Sequence, residues 1–305
     1  AEVVERHAGL IRERFPKTIR RNAGYGLDMV LAQMDGAGRD ADSGRMLDAI
    51  DLAHLLCGSE GTLAVTLGAR LKLEPLPKAK GLAVIGLASL EDAVELVQPI
   101  LGTKPSAVEI LDDTILDLAA ANAEYRRYVE LMPAPDGAPL KAVLYVEYFG
   151  QGGSGEIQSK FAELKALTSR ERPDARVACY ADAKAMLSAW KLRKAGEPLL
   201  HGLPGDRKPI TFVEDNAIPV PRLSEYVREF KRIVASKGTR ASFWAHASVG
   251  VLHVRPFLDI RDARDRRLFQ EIAVEVADLA KSLGGVMSGE HGDGKVRGPL
   301  LERYF

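Results

Sequence analysis

The 305-residue sequence predicts an α+β fold in which helices cover one face of a ferredoxin-like, antiparallel β-sheet. Two observations lead to this class. Strand-like and helix-like patterns alternate along most of the chain, and the connections between them are long, which is typical of α+β domains. The composition, 46% hydrophobic and 28% charged, is that of a globular protein with a buried core.

The first 76 residues differ from the rest of the chain in pattern and predict a separate, smaller region. They are glycine-rich and irregular up to residue 45, and a short helix is expected over residues 46–56. Leucines and a valine at alternate positions in residues 62–74 have the period of two that predicts a half-buried strand.

A pair of prolines, Pro75 and Pro77, predicts the boundary between two domains. Proline lacks the backbone donor that a strand needs and restricts the residue before it, so regular structure is expected to stop there. The sequence therefore divides into domains 1–76 and 77–305.

The larger domain opens with a strand and a well-marked helix. Residues 81–88 form a continuous apolar run, and Ser89 with Asp92 three residues later predicts a capped helix that continues to Leu101. Further strands are expected at 142–149, 176–180, 210–214, 242–247 and 251–257, and helices at 108–121, 155–169, 182–195, 221–237 and 263–283.

Charge and cysteine content exclude several classes of function. The 42 basic and 42 acidic residues balance, so no net field attracts nucleic acid. The two cysteines, Cys57 and Cys179, have no CxxC spacing, which argues against a thiolate cluster and predicts a reducing, cytoplasmic setting. No apolar run approaches the roughly 20 residues of a membrane-spanning helix. The start at Ala1, without a methionine, suggests a piece of a longer chain.

Two histidines, His246 and His253, lie in one segment that predicts a strand reversal. Leu252 and Val254 alternate with His253 and Arg255, so a pleated strand buries the apolar pair and directs the polar pair to its other face. A glycine between the two histidines allows the chain to turn tightly. We therefore expect the two imidazoles to lie close together.

A glycine-rich segment at 288–294 carries an adjacent acid and base, Glu290 and His291. Two imidazoles and one carboxylate leave open positions on a divalent metal, so His246, His253 and Glu290 are candidate ligands and His291 is a candidate base. The alternative is structural, because single histidines often satisfy core hydrogen bonds and glycine-rich segments often form solvated turns.

Two arginines are candidates to bind a substrate carboxylate. The planar guanidinium of Arg193 or Arg255 matches a carboxylate with two hydrogen bonds, although a surface charge is the alternative for each. The Gly58–Thr62 turn can bring backbone amides near a phosphate or ring, as can Gly24. No dinucleotide-type or P-loop glycine motif is present in the sequence.

Three segments, in order and spacing, resemble the FAD-linked oxidases of the vanillyl-alcohol oxidase superfamily. They are residues 22–25 (Asn-Ala-Gly-Tyr), residues 55–63 around Gly-Ser-Glu-Gly-Thr, and residues 288–294 (Ser-Gly-Glu-His-Gly-Asp-Gly). Within the superfamily, the chain is similar to the branch of D-lactate dehydrogenase, glycolate oxidase and D-2-hydroxyglutarate dehydrogenase over nearly its whole length.

The resemblance implies a fold and an activity. Residues 1–76 are expected to be the final portion of a PCMH-type FAD-binding domain, and residues 77–305 the C-terminal substrate, or cap, domain. The parent protein is expected to oxidise a D-2-hydroxy acid to the 2-oxo acid by hydride transfer to FAD. The family's flavin diphosphate loop lies upstream of this sequence, so the fragment alone is expected to be inactive.

The resemblance also assigns residues. His246, His253 and Glu290 match the ligands of a divalent metal, with zinc expected, and His291 matches the base that takes the substrate hydroxyl proton. Arg193 matches a substrate-carboxylate arginine, and Arg255 stays a second candidate. Flavin contacts are expected from Asn22, Gly24, Gly58, Ser59, Glu60, Gly61 and Thr62.

Partners follow from the same resemblance. Many members carry polar residues between the two histidines, where this chain has Ser248–Leu252, and this variant is similar to longer proteins with an iron-sulfur domain after the cap. A quinone, a cytochrome or such a domain is the expected electron acceptor. Peripheral membrane association and a homodimer of the parent protein are further expectations.

Two other classes of function use the same residues. A metal-dependent hydrolase needs only the two histidines, the glutamate and a bound water. A catalytically silent binding module needs the clusters only to brace loops.

Overall fold

The computed structural model of the protein describes residues 1–36 and 50–305. Within these ranges, eight strands form one sheet in which all neighbouring strands are antiparallel. The strands are β1 (Ala79–Leu87), β2 (Ala107–Asp112), β3 (Ala142–Gly150), β4 (Arg176–Tyr180), β5 (Lys208–Pro209), β6 (Asn216–Ala217), β7 (Ala241–His246) and β8 (Val251–Leu258).

The strand order confirms the ferredoxin-like core. The sheet runs β4-β1-β3-β2-β7-β8-β5, with β6 also paired to β8, and its first four strands have the order of a split β-α-β-β-α-β unit. The β7–β8 hairpin extends this unit at the free edge of β2. His246 and His253 therefore lie on this extension of the core.

Helices connect the strands and cover the sheet. The described helices are α1 (Glu2–Arg6), α2 (Ala8–Arg14), α3 (Leu27–Gly36), α4 (Ala53–Cys57), α5 (Leu90–Leu101), α6 (Asp113–Ala121), α7 (Arg126–Val129), α8 (Ser154–Glu171), α9 (Ala183–His201), α10 (Leu223–Ser236), α11 (Ala263–Ser282), α12 (Gly294–Arg297) and α13 (Leu301–Tyr304). The Ser89 cap of α5 is confirmed, because its side chain accepts from the Asp92 amide. None of the described helices is both long and apolar enough to cross a membrane.

Helices lie on both faces of the sheet, so the expectation of a single covered face was wrong. Ala83 and Ile85 of β1 pack in a core with helices α5, α8, α10 and α11, while Leu82 and Val84 pack on the other side with α6 and α9. A continuous apolar run is typical of a strand buried on both faces, and β1 has such a run.

Two sequence assignments in the larger domain were wrong in type or position. Residues 107–112 form strand β2 and the helix begins only at Asp113, because the Asp112 carboxylate accepts the Ile115 amide as an N-cap. The strand expected at 210–214 is absent, and short strands β5 and β6 flank that stretch instead.

The first 76 residues also differ from expectation, since helices α1, α2 and α3 form in a stretch that was expected to be irregular. Residues 62–74 form no strand, and Leu67, for example, is 96% exposed. A strand needs a hydrogen-bonded neighbour, and no described strand lies beside this stretch. Of the helix expected at 46–56, residues 46–49 lie outside the described residues, and the described part forms α4 at Ala53–Cys57.

Candidate active site

The β7–β8 hairpin brings His246 and His253 together, as the sequence predicts. Gly250 lies between them in the left-handed region, with φ of 74°, and a Cβ there would lie 2.0 Å from the Ile218 carbonyl oxygen. Only glycine fits this backbone position without strain. The two imidazole rings consequently lie with their centroids 5.2 Å apart in an edge-to-face arrangement.

His253 lies in an apolar and cationic environment. His253 is 6% exposed and its ring stacks on Trp244. Its strand neighbours Leu252 and Val254 pack in the core on the other face of the sheet. Burial, with the nearby His246 and other basic groups, lowers the pKa of His253 to about 3. The imidazole is therefore neutral at physiological pH, the form in which histidine binds a metal.

The loop at residues 288–294, here called the 288–294 loop, is held by the buried carboxylate of Asp215. This carboxylate accepts hydrogen bonds from the Ser288 hydroxyl at 2.6 Å and from the amides of Glu290 and His291 at 3.0 and 2.9 Å. Burial raises the pKa of Asp215 above its ordinary value. Asp215 thus fixes the backbone that presents the candidate ligand and the candidate base.

The three predicted metal ligands lie close together. Donor atoms of His246, His253 and Glu290 lie within 4.8 Å of one another, and His246 Nε2 is 3.9 Å from Glu290 Oε1. Two nitrogens and one oxygen form a donor set that suits zinc and similar divalent ions and leaves coordination positions for substrate. Arg20 also contacts Glu290 Oε1, which balances the charge of this carboxylate.

His291 lies next to this donor set and is more exposed than its members. Its side chain is 60% exposed, its ring centroid is 5.7 Å from that of His253, and its Nε2 is 3.9 Å from Glu290 Oε2. An accessible imidazole beside three clustered donors can exchange a proton with a bound molecule.

Glu109, on β2, is a site residue that the sequence reasoning missed. Both of its carboxylate oxygens lie within 2.9 Å of His246 Nδ1, at 2.8 and 2.9 Å. Arg193 donates to Glu109 Oε2 from Nε at 3.1 Å and from Nη2 at 2.7 Å. Glu109 therefore lies between His246 and Arg193, the arginine that is predicted to bind substrate. Two of the Arg193 nitrogens, Nε and Nη2, already donate to Glu109.

Arg255 is buried and is paired with two carboxylates. It is 4% exposed, donates from Nε to Glu214 at 3.0 Å and from Nη2 to Glu197 at 2.6 Å, and lies over the Trp244 ring. Its Nη1 is buried and has no partner among the described residues. Two carboxylates thus balance the charge of this cation, and the N–H groups of Nη1 remain without a partner among the described residues.

The motif residues among the first 76 residues contact the 288–294 loop. Asn22 Nδ2 donates to the Glu290 carbonyl at 2.8 Å, and the Gly24 amide donates to Asp293. Glu60 accepts from the amides of Asp293 and Gly294 at 2.8 and 2.9 Å. Segments that are more than 200 residues apart in the sequence therefore meet around the candidate ligand and base.

The turn at Gly58–Thr62 lies against the same segment. Gly58 approaches Asn22 so closely that a Cβ would lie 3.1 Å from its side-chain oxygen, and Thr62 shares a 2.9 Å hydrogen bond with Tyr25. The Ser59 hydroxyl donates to the Leu56 carbonyl at 2.8 Å, which connects the turn to helix α4. The predicted flavin residues thus form one surface beside the 288–294 loop, and their contact with FAD stays a prediction.

Some signal for the missed residues was present in the sequence. Glu109 is a lone acid between Val108 and Ile110, but the helix predicted for residues 108–121 obscures the alternation that is typical of a strand. Glu214, Asp215 and Asn216 are three polar residues in succession. Such a run is also typical of an exposed turn, so it does not by itself predict that Asp215 is buried and holds a loop.

The chain belongs to the FAD linked oxidases, whose C-terminal domain family matches residues 76–305. This match confirms the family resemblance of the sequence motifs.

Curated relatives carry oxidoreductase names. The chain is 32% identical to the D-2-hydroxyglutarate dehydrogenase of Pseudomonas putida over 307 residues, covering 100% of this chain and 29% of that protein. It is 28% identical to the glycolate oxidase subunit GlcD of Bacillus subtilis over 287 residues, covering 93% of this chain and 57% of that one. The chain thus spans less than a third of the first relative and little more than half of the second.

A solved structure supports the fold. An alkyldihydroxyacetonephosphate synthase aligns with 77% of this chain and 45% of its own length, with a TM-score of 0.51 and 16% sequence identity. This likeness confirms the α+β architecture with its helix-covered antiparallel sheet.

Proposed function

We propose that this chain is part of an FAD-dependent dehydrogenase that oxidises a D-2-hydroxy acid, of the lactate, glycolate or 2-hydroxyglutarate type, to the 2-oxo acid. The observation that carries the proposal is the convergence of His246, His253 and Glu290 beside the accessible His291. The names of the relatives, D-2-hydroxyglutarate dehydrogenase and glycolate oxidase, agree with this chemistry.

The donor set fits a divalent metal such as zinc. His253 is held neutral, His246 Nε2 is directed toward Glu290, and the three donors lie within 4.8 Å of one another. A metal held there would act as a Lewis acid toward the hydroxyl and carboxylate oxygens of the substrate.

His291 is the proposed general base. Its backbone is fixed by Asp215 while its side chain is exposed, so the imidazole can accept the substrate hydroxyl proton. Arg193 is the proposed donor to the substrate carboxylate, through the guanidinium nitrogen Nη1 that does not bind Glu109.

The first-domain surface suits a flavin edge next to this base. Asn22, Gly24 and Glu60 all contact the 288–294 loop, so a flavin held by these motif residues would adjoin His291. FAD, when bound, accepts the hydride from the α-carbon of the substrate. A quinone, a cytochrome or an iron-sulfur domain is the proposed electron acceptor of the parent protein.

The test is single-turnover reduction of the flavin in the full-length protein by D-2-hydroxyglutarate, D-lactate and glycolate. We expect His291→Ala to slow reduction by about 100- to 10,000-fold, the usual contribution of a general base. His201→Gln, an exposed histidine at the end of α9, serves as the control and should reduce flavin at the wild-type rate. An unchanged rate in His291→Ala contradicts the role, and flavin-independent ester hydrolysis would favour a hydrolase instead.

A further inference from the structure

We propose that Glu109 is a positioning residue that fixes the ring of His246 for metal binding, with Arg193 holding Glu109 in place. This inference rests on the proposed metal site and deepens it. It assigns the Arg193 guanidinium a structural role at the site in addition to any contact with substrate.

The backbone register delivers Glu109 to His246. Strands β2 and β7 are antiparallel neighbours, and Glu109 is directly opposite His246 in their pairing. Opposed residues project to the same face of a sheet, while Val108 and Ile110 face the other core. The contact therefore follows from the pairing of the two strands.

The contact selects one tautomer of His246. A carboxylate can only accept, so the nitrogen that faces both Glu109 oxygens, Nδ1, carries the proton. In the neutral ring, Nε2 then has a free lone pair, and Nε2 is the atom 3.9 Å from Glu290 Oε1. A metal ligand that donates its second nitrogen to a carboxylate in this way is held in orientation and made more basic.

Arg193 completes the arrangement. Its Nε and Nη2 both donate to Glu109 Oε2, and the two side chains are 13% and 11% exposed. A buried carboxylate needs such a partner to stay ionised and fixed. Glu109 and Arg193 together form a neutral pair beneath His246, so the metal ligand gains orientation without added net charge.

The first measurement is zinc affinity of the 305-residue chain, determined by competition with a chelating dye. We expect Glu109→Ala to weaken zinc binding by about 10- to 100-fold, the usual effect of removing a carboxylate behind a histidine ligand. Glu109→Gln should lose less, since its amide oxygen can still accept from Nδ1. The matched control is Glu147→Gln, a half-buried acid on the adjacent strand β3, which should bind zinc like the wild type.

The second measurement is the tautomer of His246 in the chelator-treated chain, from the ¹⁵N shifts of its ring nitrogens, assigned through His246→Gln. The wild type should show the Nδ1–H form, and Glu109→Ala should shift toward the Nε2–H form. A role in stability alone would leave this signal unchanged.

The outcomes separate the two proposals. If the wild type fails to bind zinc, the proposed metal site is wrong, and the tautomer measurement still decides the role of Glu109. If the wild type binds zinc while Glu109→Ala matches it within twofold and keeps the Nδ1–H form, the positioning role is overturned. Should Glu109→Ala fail to fold, Glu109→Leu, which fills more of the space and also has no acceptor for Nδ1, supplies the same comparison.

Discussion

The β7–β8 hairpin and the 288–294 loop contribute to one candidate site but are built differently. The hairpin presents His246 and His253 from paired strands, where cross-strand register fixes each side chain. The loop presents Glu290 and His291 through hydrogen bonds to Asp215 and to Asn22. Half of the site is thus fixed by the sheet, and half depends on a few buried polar contacts.

The two regions also depend on each other unequally. The Asp215 amide donates to the Leu252 carbonyl at 2.8 Å, and β6 pairs with β8 just beyond it. The residue that braces the loop is therefore itself attached to the hairpin. A substitution that destabilises the hairpin should therefore also destabilise the 288–294 loop. A substitution that destabilises the loop should leave the hairpin unchanged.

The largest expected effect comes from Gly250→Ala in the hairpin. The new Cβ would lie 2.0 Å from the Ile218 carbonyl oxygen on a backbone with φ of 74°, so both steric overlap and backbone strain oppose it. We expect a loss of about 3–5 kcal/mol in the free energy of unfolding. Hydrogen exchange should show lost amide protection in both the hairpin and the loop.

Gly205→Ala is the matched control for this change. Gly205 also has a positive φ, of 92°, but no atom lies within 4 Å of the added Cβ. Its substitution should cost only backbone strain, about 1–2 kcal/mol. Equal losses in the free energy of unfolding at Gly250 and Gly205 would contradict this prediction. They would mean that the short distance between Gly250 and the Ile218 carbonyl adds nothing to the cost of the substitution.

The next largest effect is expected from Asp215→Ala. It removes the acceptor of three hydrogen bonds from the 288–294 loop and should lower the free energy of unfolding by about 2–4 kcal/mol. Exchange should accelerate at the Glu290 and His291 amides while β7 and β8 keep their protection. Asp215→Asn, which tolerates the positive φ of 74° and keeps one acceptor, should lose less.

A pH dependence of stability is also expected, in protein freed of metal by a chelator. The pKa of His253 is about 3 in the folded state against 6.5 for the free side chain, so the unfolded chain binds the extra proton first. This stability is present above pH 6.5 and is lost as the pH falls toward 3. His253→Gln should therefore show a shallower acid loss in urea unfolding than the wild type.

The loop should respond to pH with the opposite sign. Burial raises the pKa of Asp293 to about 6 from 3.8, so its contribution is present below pH 3.8 and is lost as the pH rises through 6. Asp293→Asn should remove this loss between pH 4 and 6 in the same unfolding series. The same slope in both variants would contradict the contrast between hairpin and loop.

The elements with strong local signals followed from the sequence. The Ser89 cap, the apolar run of β1 and the alternation around His253 each depend on neighbours within a few residues, and each formed as predicted. The errors lay where tertiary contacts override local pattern. Asp112 ends β2 through a cap that also bonds Phe243 of β7, and residues 62–74 alternate without a described strand to pair with.

The sequence by itself determined the family, the α+β class and the four residues of the proposed metal and base cluster, because motifs and periodicity are local properties of the chain. Only the tertiary structure placed Glu109 opposite His246 and Asp215 beneath the 288–294 loop. Those contacts join residues 137 and 76 positions apart. Their positions follow from strand register and burial, which are properties of the folded sheet that spacing along the chain does not encode.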